Sequence, residues 1–178
     1  MPIEITAEHL ELAVRRMAEL TGEMRFILVG RGTLAVTAPP HLRNLSRSDD
    51  IDIWPRDRED AALDESIERF GEDSEFYHRH GFYIERVGNW TLLTQPDGWQ
   101  ARATEVRFGE LSLLVLGLLD LAYNKLEAYR EKDRQFLIEG FRAGLFQPAD
   151  VKSFIEEFAP TADARSALLA NLAQISGE

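Results

Sequence analysis

Cysteine is absent from all 178 residues. With it go disulfide frameworks, thiolate zinc sites, iron–sulfur clusters and cysteine nucleophiles, and the absence agrees with a reducing compartment. Long apolar runs are missing too. The greasiest stretch, Leu111 to Leu119, is about half of what a membrane helix needs, and the opening MPIEITAEHLEL has neither the basic nor the apolar region of a signal peptide. The chain therefore reads as a cytosolic protein. Basic charge is scarce: 20 Lys and Arg stand against 31 Asp and Glu, for a formal net charge of −11. Nucleic-acid backbones are held by clustered cations, so general nucleic-acid binding is disfavoured while a locally positive cleft remains open.

What is present suits a globular core. The hydrophobic share is 44% and the charged share 29%, which excludes wholesale disorder, collagen and coiled coil and leaves room for one compact body with a helical extension. Residues 57 to 75 hold nine acids against Arg58 and Arg69. They read as the solvated face of a helix running to about Phe70.

Apolar spacing over residues 6 to 21, with Thr6 as N-cap and Gly22 as stop, predicts an opening helix. Phe26 to Val29 then reads as a buried strand that enters the turn Gly30-Arg31-Gly32-Thr33, followed by a short helix that must end before Pro39-Pro40. SDDIDIW supplies a second strand, with Ile51 and Ile53 on one face and Asp50, Asp52 and Trp54 on the other. Further strands are expected at Phe82 to Val87, Trp90 to Thr94 across a Gly88-Asn89 turn, Ala101 to Phe108 and Leu111 to Leu116. From Leu118 onward the pattern is helical: to about Arg130, Lys132 to Ala143, Pro148 to Phe158, and Thr161 to Ser176. The expected organisation is a mixed sheet with flanking helices over residues 1–116, and a C-terminal helical part over 117–178 packed on it.

Three constellations carry chemistry. In VGRGTLA, residues 29 to 35, glycines after a strand let a backbone approach a phosphate closely, with Gly30, Gly32 and the Thr33 hydroxyl as the contacting groups. The same residues also suit plain turn chemistry, and they form neither a dinucleotide fingerprint nor a Walker A loop. In Asp50-Ile51-Asp52 the period of two aims both carboxylates from one face. That is either a cation site for hard Mg²⁺ or an amphipathic edge strand with its acids in solvent. In LAYNKLEAYREKD, Lys125 precedes Lys132 by seven residues and Asp133 by eight, so a continuous helix would bring all three near one face. They suit either polyphosphate contact or a surface ladder of ion pairs. His78-Arg79-His80 reads as a surface loop, Trp99 as a core anchor under a turn, and Ser46 and Ser48 lack triad partners.

In this order and spacing, the three segments resemble the nucleotidyltransferase superfamily of polymerase-β-like fold. They are most similar to a bacterial group that holds AbiEii-type toxins and a related branch of unknown function. Pro96-Asp97-Gly98-Trp99-Gln100-Ala101-Arg102 resembles a segment of that second branch, and the likeness covers about residues 24 to 145. It implies a nucleotidyltransferase-like α+β fold with a C-terminal helical bundle. It also implies an NTP held by Gly30, Gly32, Thr33, Lys125 and Lys132, Mg²⁺ held by Asp50 and Asp52, and catalytic roles for Asp50, Asp52, Lys125 and Asp133. Arg31 stands where many members have glycine, and Phe136 where the toxins often have an acid.

The activity so implied is transfer of a nucleotidyl group from an NTP to an acceptor hydroxyl of RNA, with tRNA as one candidate, of protein or of a small molecule, in the manner of a toxin with a cognate antitoxin. The competing expectation is an inactive protein of the same fold that binds a nucleotide or a protein partner. A third metal-facing carboxylate separates the two, with Glu85 and Glu105 as the strand-borne candidates.

Overall fold

Thr6 starts the first long helix by a reciprocal cap: its Oγ1 accepts from the His9 backbone N–H at 3.4 Å, and its own N–H donates to His9 Nδ1 at 3.2 Å. The computed structural model describes residues 1–56, 67–87 and 95–177. It places β1 at Ile3–Glu4, α1 at Ala7–Thr21 and β2 at Arg25–Leu28. A turn of 3₁₀ helix at Arg31–Thr33 leads into α2 (Leu34–Thr37), a second 3₁₀ stretch (Pro40–Ser46), β3 (Arg47–Ser48) and β4 (Asp50–Pro55). Next come α3 (Glu75–His80), β5 (Tyr83–Arg86), α4 (Trp99–Arg102), β6 (Thr104–Phe108) and β7 (Leu111–Val115). Helices α5 (Leu118–Ala128), α6 (Glu131–Ala143), α7 (Pro148–Phe158) and α8 (Ala162–Ser176) complete the chain.

The mixed α+β architecture is the expected one. Five strands form one sheet in the order β5-β4-β2-β7-β6, with β2 antiparallel to β4 and parallel to β7. β4 runs parallel to β5, and β6 antiparallel to β7. One face of the sheet buries Phe26, Leu28, Ile51, Ile53 and Ile84 against Leu10, Val14 and Met17 of α1. The other face buries Ile27, Val29 and Trp54 with Trp99 and Leu116. A third cluster joins α5, α6, α7 and α8 to Leu34 and Ala38 at the end of the glycine turn. Among the described residues no helix is long and apolar enough to cross a membrane.

Trp54 shares its face with the two aspartates as expected, and it is 2% exposed there, packed in one cluster with Trp99 of α4. Other local expectations are changed. The alternation from Ala101 begins in a helical turn, so β6 starts only at Thr104. His78, Arg79 and His80 end a helix capped by Ser74 and lie in no loop. The lysine segment, as expected, is two helices: Tyr129 takes a left-handed φ of 45°, and Arg130 caps a new one. The acidic helix over 57–66, the Gly88-Asn89 turn and the strand at Trp90 to Thr94 lie outside the described residues, and Glu68–Phe70 is one turn of 3₁₀ helix.

The Pro96–Arg102 segment is a stitch between sheet and helices. The Arg102 guanidinium donates to Asp120 on α5 (Nη2 to Oδ1, 2.6 Å; Nε to Oδ2, 3.1 Å) and to the carbonyls of Asp97 and Pro96. Its central carbon also lies 4.2 Å from the Phe158 ring centroid and 5.0 Å from that of Phe154.

Candidate active site

Alternation along β4 does what its period requires. Ile51 and Ile53 are fully buried against α1, which turns Asp50 and Asp52 to the opposite face. The neighbouring strand completes the arrangement: β5 runs parallel with Tyr83 beside Asp50 and Glu85 beside Asp52. Carboxylate oxygens of Asp50, Asp52 and Glu85 all lie within 4.8 Å of one another. This triad has the donor chemistry and spacing for a hard divalent cation.

Crowding shows in the titration of the group. Burial, then the charges of Asp50 and Glu85, push the Asp52 carboxyl up to about 7, with Lys125 and Lys132 pulling the other way. Glu85 is raised as well, by burial, by the charge of Asp50 and by the hydrogen bond that its protonated form donates to Asp50. Ser48 Oγ also donates to Asp50 Oδ1. The Tyr83 phenol is raised by burial and by the surrounding acids, Asp50 foremost.

Gly30 is dictated by this cluster. At φ 68° its missing side chain leaves room for Asp52: a Cβ would sit 1.8 Å from Asp52 Oδ2. Thr33 locks the turn, its Oγ1 donating to the Gly30 carbonyl at 2.8 Å, while the Val29 N–H donates to the Asp52 carbonyl at 3.1 Å. Gly30→Ala is expected to destabilise the fold by at least about 1–3 kcal/mol, the range for strained backbone, and to drive Asp52 out of line. Thermal melting with and without Mg²⁺ checks this: a variant that melts and responds like wild type would mean the close approach does not position Asp52.

The triad lies in a cleft of about 710 Å³. Helix α5 contributes Leu121, Asn124 and Lys125 to it, the start of α6 contributes Arg130, Lys132 and Asp133, and the turn contributes Gly30 and Arg31. Asp133 is 1% exposed and clasped by Lys125 Nζ at 3.0 Å and Arg130 Nε at 2.7 Å. Burial pushes its carboxyl up, but the Arg130 hydrogen bond and Lys125 outweigh that and hold it below the usual range. Acids on the sheet thus face cations on the helices across one space.

Residues 8–166 match a family model described as nucleotidyltransferase of unknown function (DUF6036). The chain belongs to this nucleotidyltransferase family. No curated protein and no solved structure matches it.

For a nucleotidyltransferase, the placement of the expected residues is informative. Asp50, Asp52, Lys125, Lys132, Asp133 and Gly30 all line the cleft. Gly32 and Thr33 do not: both are buried behind the turn, where Gly32 backs onto Leu28 and the Thr33 hydroxyl is spent on Gly30. Lys125, expected among the phosphate contacts, is engaged by Asp133, and it reaches that acid despite the break at Tyr129 because α6 folds back beside α5. Of the two candidates for the third carboxylate, Glu85 joins the cluster. Glu105 lies on β6 at the far edge of the sheet, paired with Arg107 at 3.1 Å. The alternation in Phe82 to Val87 puts Tyr83 and Glu85 on one face, but only the pairing with β4 brings that face to Asp52.

Proposed function

We propose that the protein is a Mg²⁺-dependent nucleotidyltransferase of the cytosol, moving a nucleotidyl group from an NTP to an acceptor hydroxyl. The observation that carries this reading is the convergence of Asp50, Asp52 and Glu85 within 4.8 Å in a cleft whose other side is cationic. Three carboxylates held together without a counter-ion are costly, and hard cations with phosphate oxygens turn that cost into binding. When bound there, Mg²⁺ supplies charge neutralisation at the phosphates and activation of the acceptor oxygen. Asp50, Asp52 and Glu85 would hold it, and Lys125 and Lys132 would offset phosphate charge. Asp133, fixed by Lys125 and Arg130, would orient Lys125. Glu85 favours an active enzyme over a binding module of the same fold.

Acceptor RNA, tRNA first, follows from the likeness to AbiEii-type toxins, as does a cognate antitoxin encoded beside the gene. The test incubates the protein with Mg²⁺, each α-labelled NTP and, separately, total RNA, total protein and a small-molecule extract. Label is expected on one acceptor class with wild type and on none with Glu85→Gln. Equal labelling by both would remove Glu85 from the site. Absence of both labelling and Mg²⁺-dependent NTP binding in wild type would overturn the activity.

A further inference from the structure

The fold partly buries the Arg31 guanidinium and, among the described residues, gives it no ion pair. Its carbon lies 4.7 Å from the centroid of the Phe136 ring, and Nη1 donates to the Arg47 carbonyl at 3.3 Å. Among the described residues no carboxylate forms an ion pair with it, although Glu139, Asp50 and Asp133 act on it from further away. The neighbouring cations Lys125 and Arg130 share Asp133. A guanidinium carries five N–H donors in a fixed fork, so most of this one's capacity is unspent inside the cleft.

Such a group is poised for an anion. Arginine is weakly hydrated, tolerates partial burial and meets phosphate oxygens two at a time. The aromatic face of Phe136 fixes the plane of the guanidinium without neutralising it, as an acid at that position would. Arg31 also follows Gly30, which packs directly on Asp52. Arg31 lines the same cleft as Asp50, Asp52 and Glu85, and the charge of Asp50 acts on its guanidinium, so one polyphosphate chain in that cleft can meet both Arg31 and a cation on the triad.

We propose that Arg31, braced by Phe136, is the receptor for the polyphosphate chain of the nucleotide and for the pyrophosphate it releases. The assignment rests on the nucleotidyltransferase reading and adds to it a residue that selects triphosphate over monophosphate. A polyphosphate fits better than an acceptor RNA backbone, because the guanidinium is partly buried and lines the cleft that holds the triad.

The test titrates full-length wild type, Arg31→Gln, Arg31→Lys and Phe136→Leu with Mg²⁺-pyrophosphate, each Mg²⁺-NTP and each nucleoside monophosphate by calorimetry, and with total RNA by filter binding. Mn²⁺ binding by paramagnetic resonance, without nucleotide, reports on the triad separately. Arg31→Gln is expected to weaken pyrophosphate and NTP by about tenfold or more, and Arg31→Lys to restore part of that. Phe136→Leu, which keeps an apolar side chain without the π face, should weaken both several-fold. Monophosphate and Mn²⁺ affinities should stay at wild-type level in all three. Unchanged pyrophosphate and NTP binding in Arg31→Gln, with Mn²⁺ retained, overturns the assignment and leaves the active-site reading standing. Loss confined to RNA binding overturns it in favour of the acceptor. Failure of wild type itself to bind any NTP or pyrophosphate is the result that removes the underlying reading.

Discussion

Replacing Asp50 and Asp52 together by asparagine is expected to abolish nucleotidyl transfer and, at the same time, to raise the melting temperature of the metal-free protein. The two effects have one cause. Three carboxylates within 4.8 Å of one another repel strongly in a partly dehydrated cleft, where a like-charge pair at such spacing is worth about 3–4 kcal/mol at an effective dielectric of ~20. Burial does most to lift Asp52 to about 7, and the charges of Asp50 and Glu85 add to it. Asparagine keeps the shape and removes the charge. For a chain of this size each kcal/mol regained shifts the melting temperature by about 2–4 °C.

Magnesium should reverse the ranking. Wild type gains stability as the cation binds the folded state alone, while the double variant has lost the ligands and should not respond. Melting curves with and without Mg²⁺, run beside the labelling assay, test both halves. A variant that is less stable without metal yet still stabilised by Mg²⁺ would show that the aspartates are structural and that the cation binds elsewhere.

How far the site was legible in the sequence follows from what fixes each group. Asp50 and Asp52 are placed by a period of two within one strand, and Gly30 by a turn next to a strand, so both could be read locally. Glu85 could not be singled out from Glu105, because the choice depends on β5, and not β6, lying beside β4. That is a matter of strand order, which no local pattern carries. Trp54 shows the same limit in reverse: its face is the aspartates' face, but there it packs with Trp99 of α4. The break between the two helices of the lysine motif is expected from the sequence within a residue or two, although Tyr129 is an unusual residue for a left-handed φ; what no local pattern carries is that α6 folds back beside α5 and returns Asp133 to Lys125. Hydroxyls in glycine turns suit phosphates, which makes Thr33 a ligand candidate in the sequence, whereas here its Oγ1 and its N–H both donate to the turn's own Gly30 carbonyl.

The position of the helices that bring cations to the cleft depends on a pair that sequence reasoning passed over. Asp120 lies in the first turn of α5 with its side chain 1% exposed, held by Arg102. Gly117 leaves space for it: a Cβ there would come within 2.9 Å of Asp120 Oδ2 and 3.2 Å of the Arg102 carbonyl oxygen. Asp120→Ala leaves the guanidinium facing Phe154 and Phe158 without its anion. The expected cost is about 3–5 kcal/mol, the range for removing one partner of a buried pair, which corresponds to a fall in melting temperature of about 6–20 °C. Arg102→Lys should recover little, since an ammonium cannot donate to Asp120 and both turn carbonyls from one plane. Replacing both partners by leucine removes both charges together and should cost less than Asp120→Ala alone. Denaturant unfolding of the two singles and the double gives the coupling energy directly. If the single change costs under about 1 kcal/mol, surface-like screening governs the pair, and Leu121, Ala122 and Leu126 alone seat α5 on the rest of the protein. If the cost is large, transfer activity should fall with it even at temperatures where the variant stays folded. The same helix carries Lys125 into the cleft, and a shift of its first turn moves that lysine away from the triad.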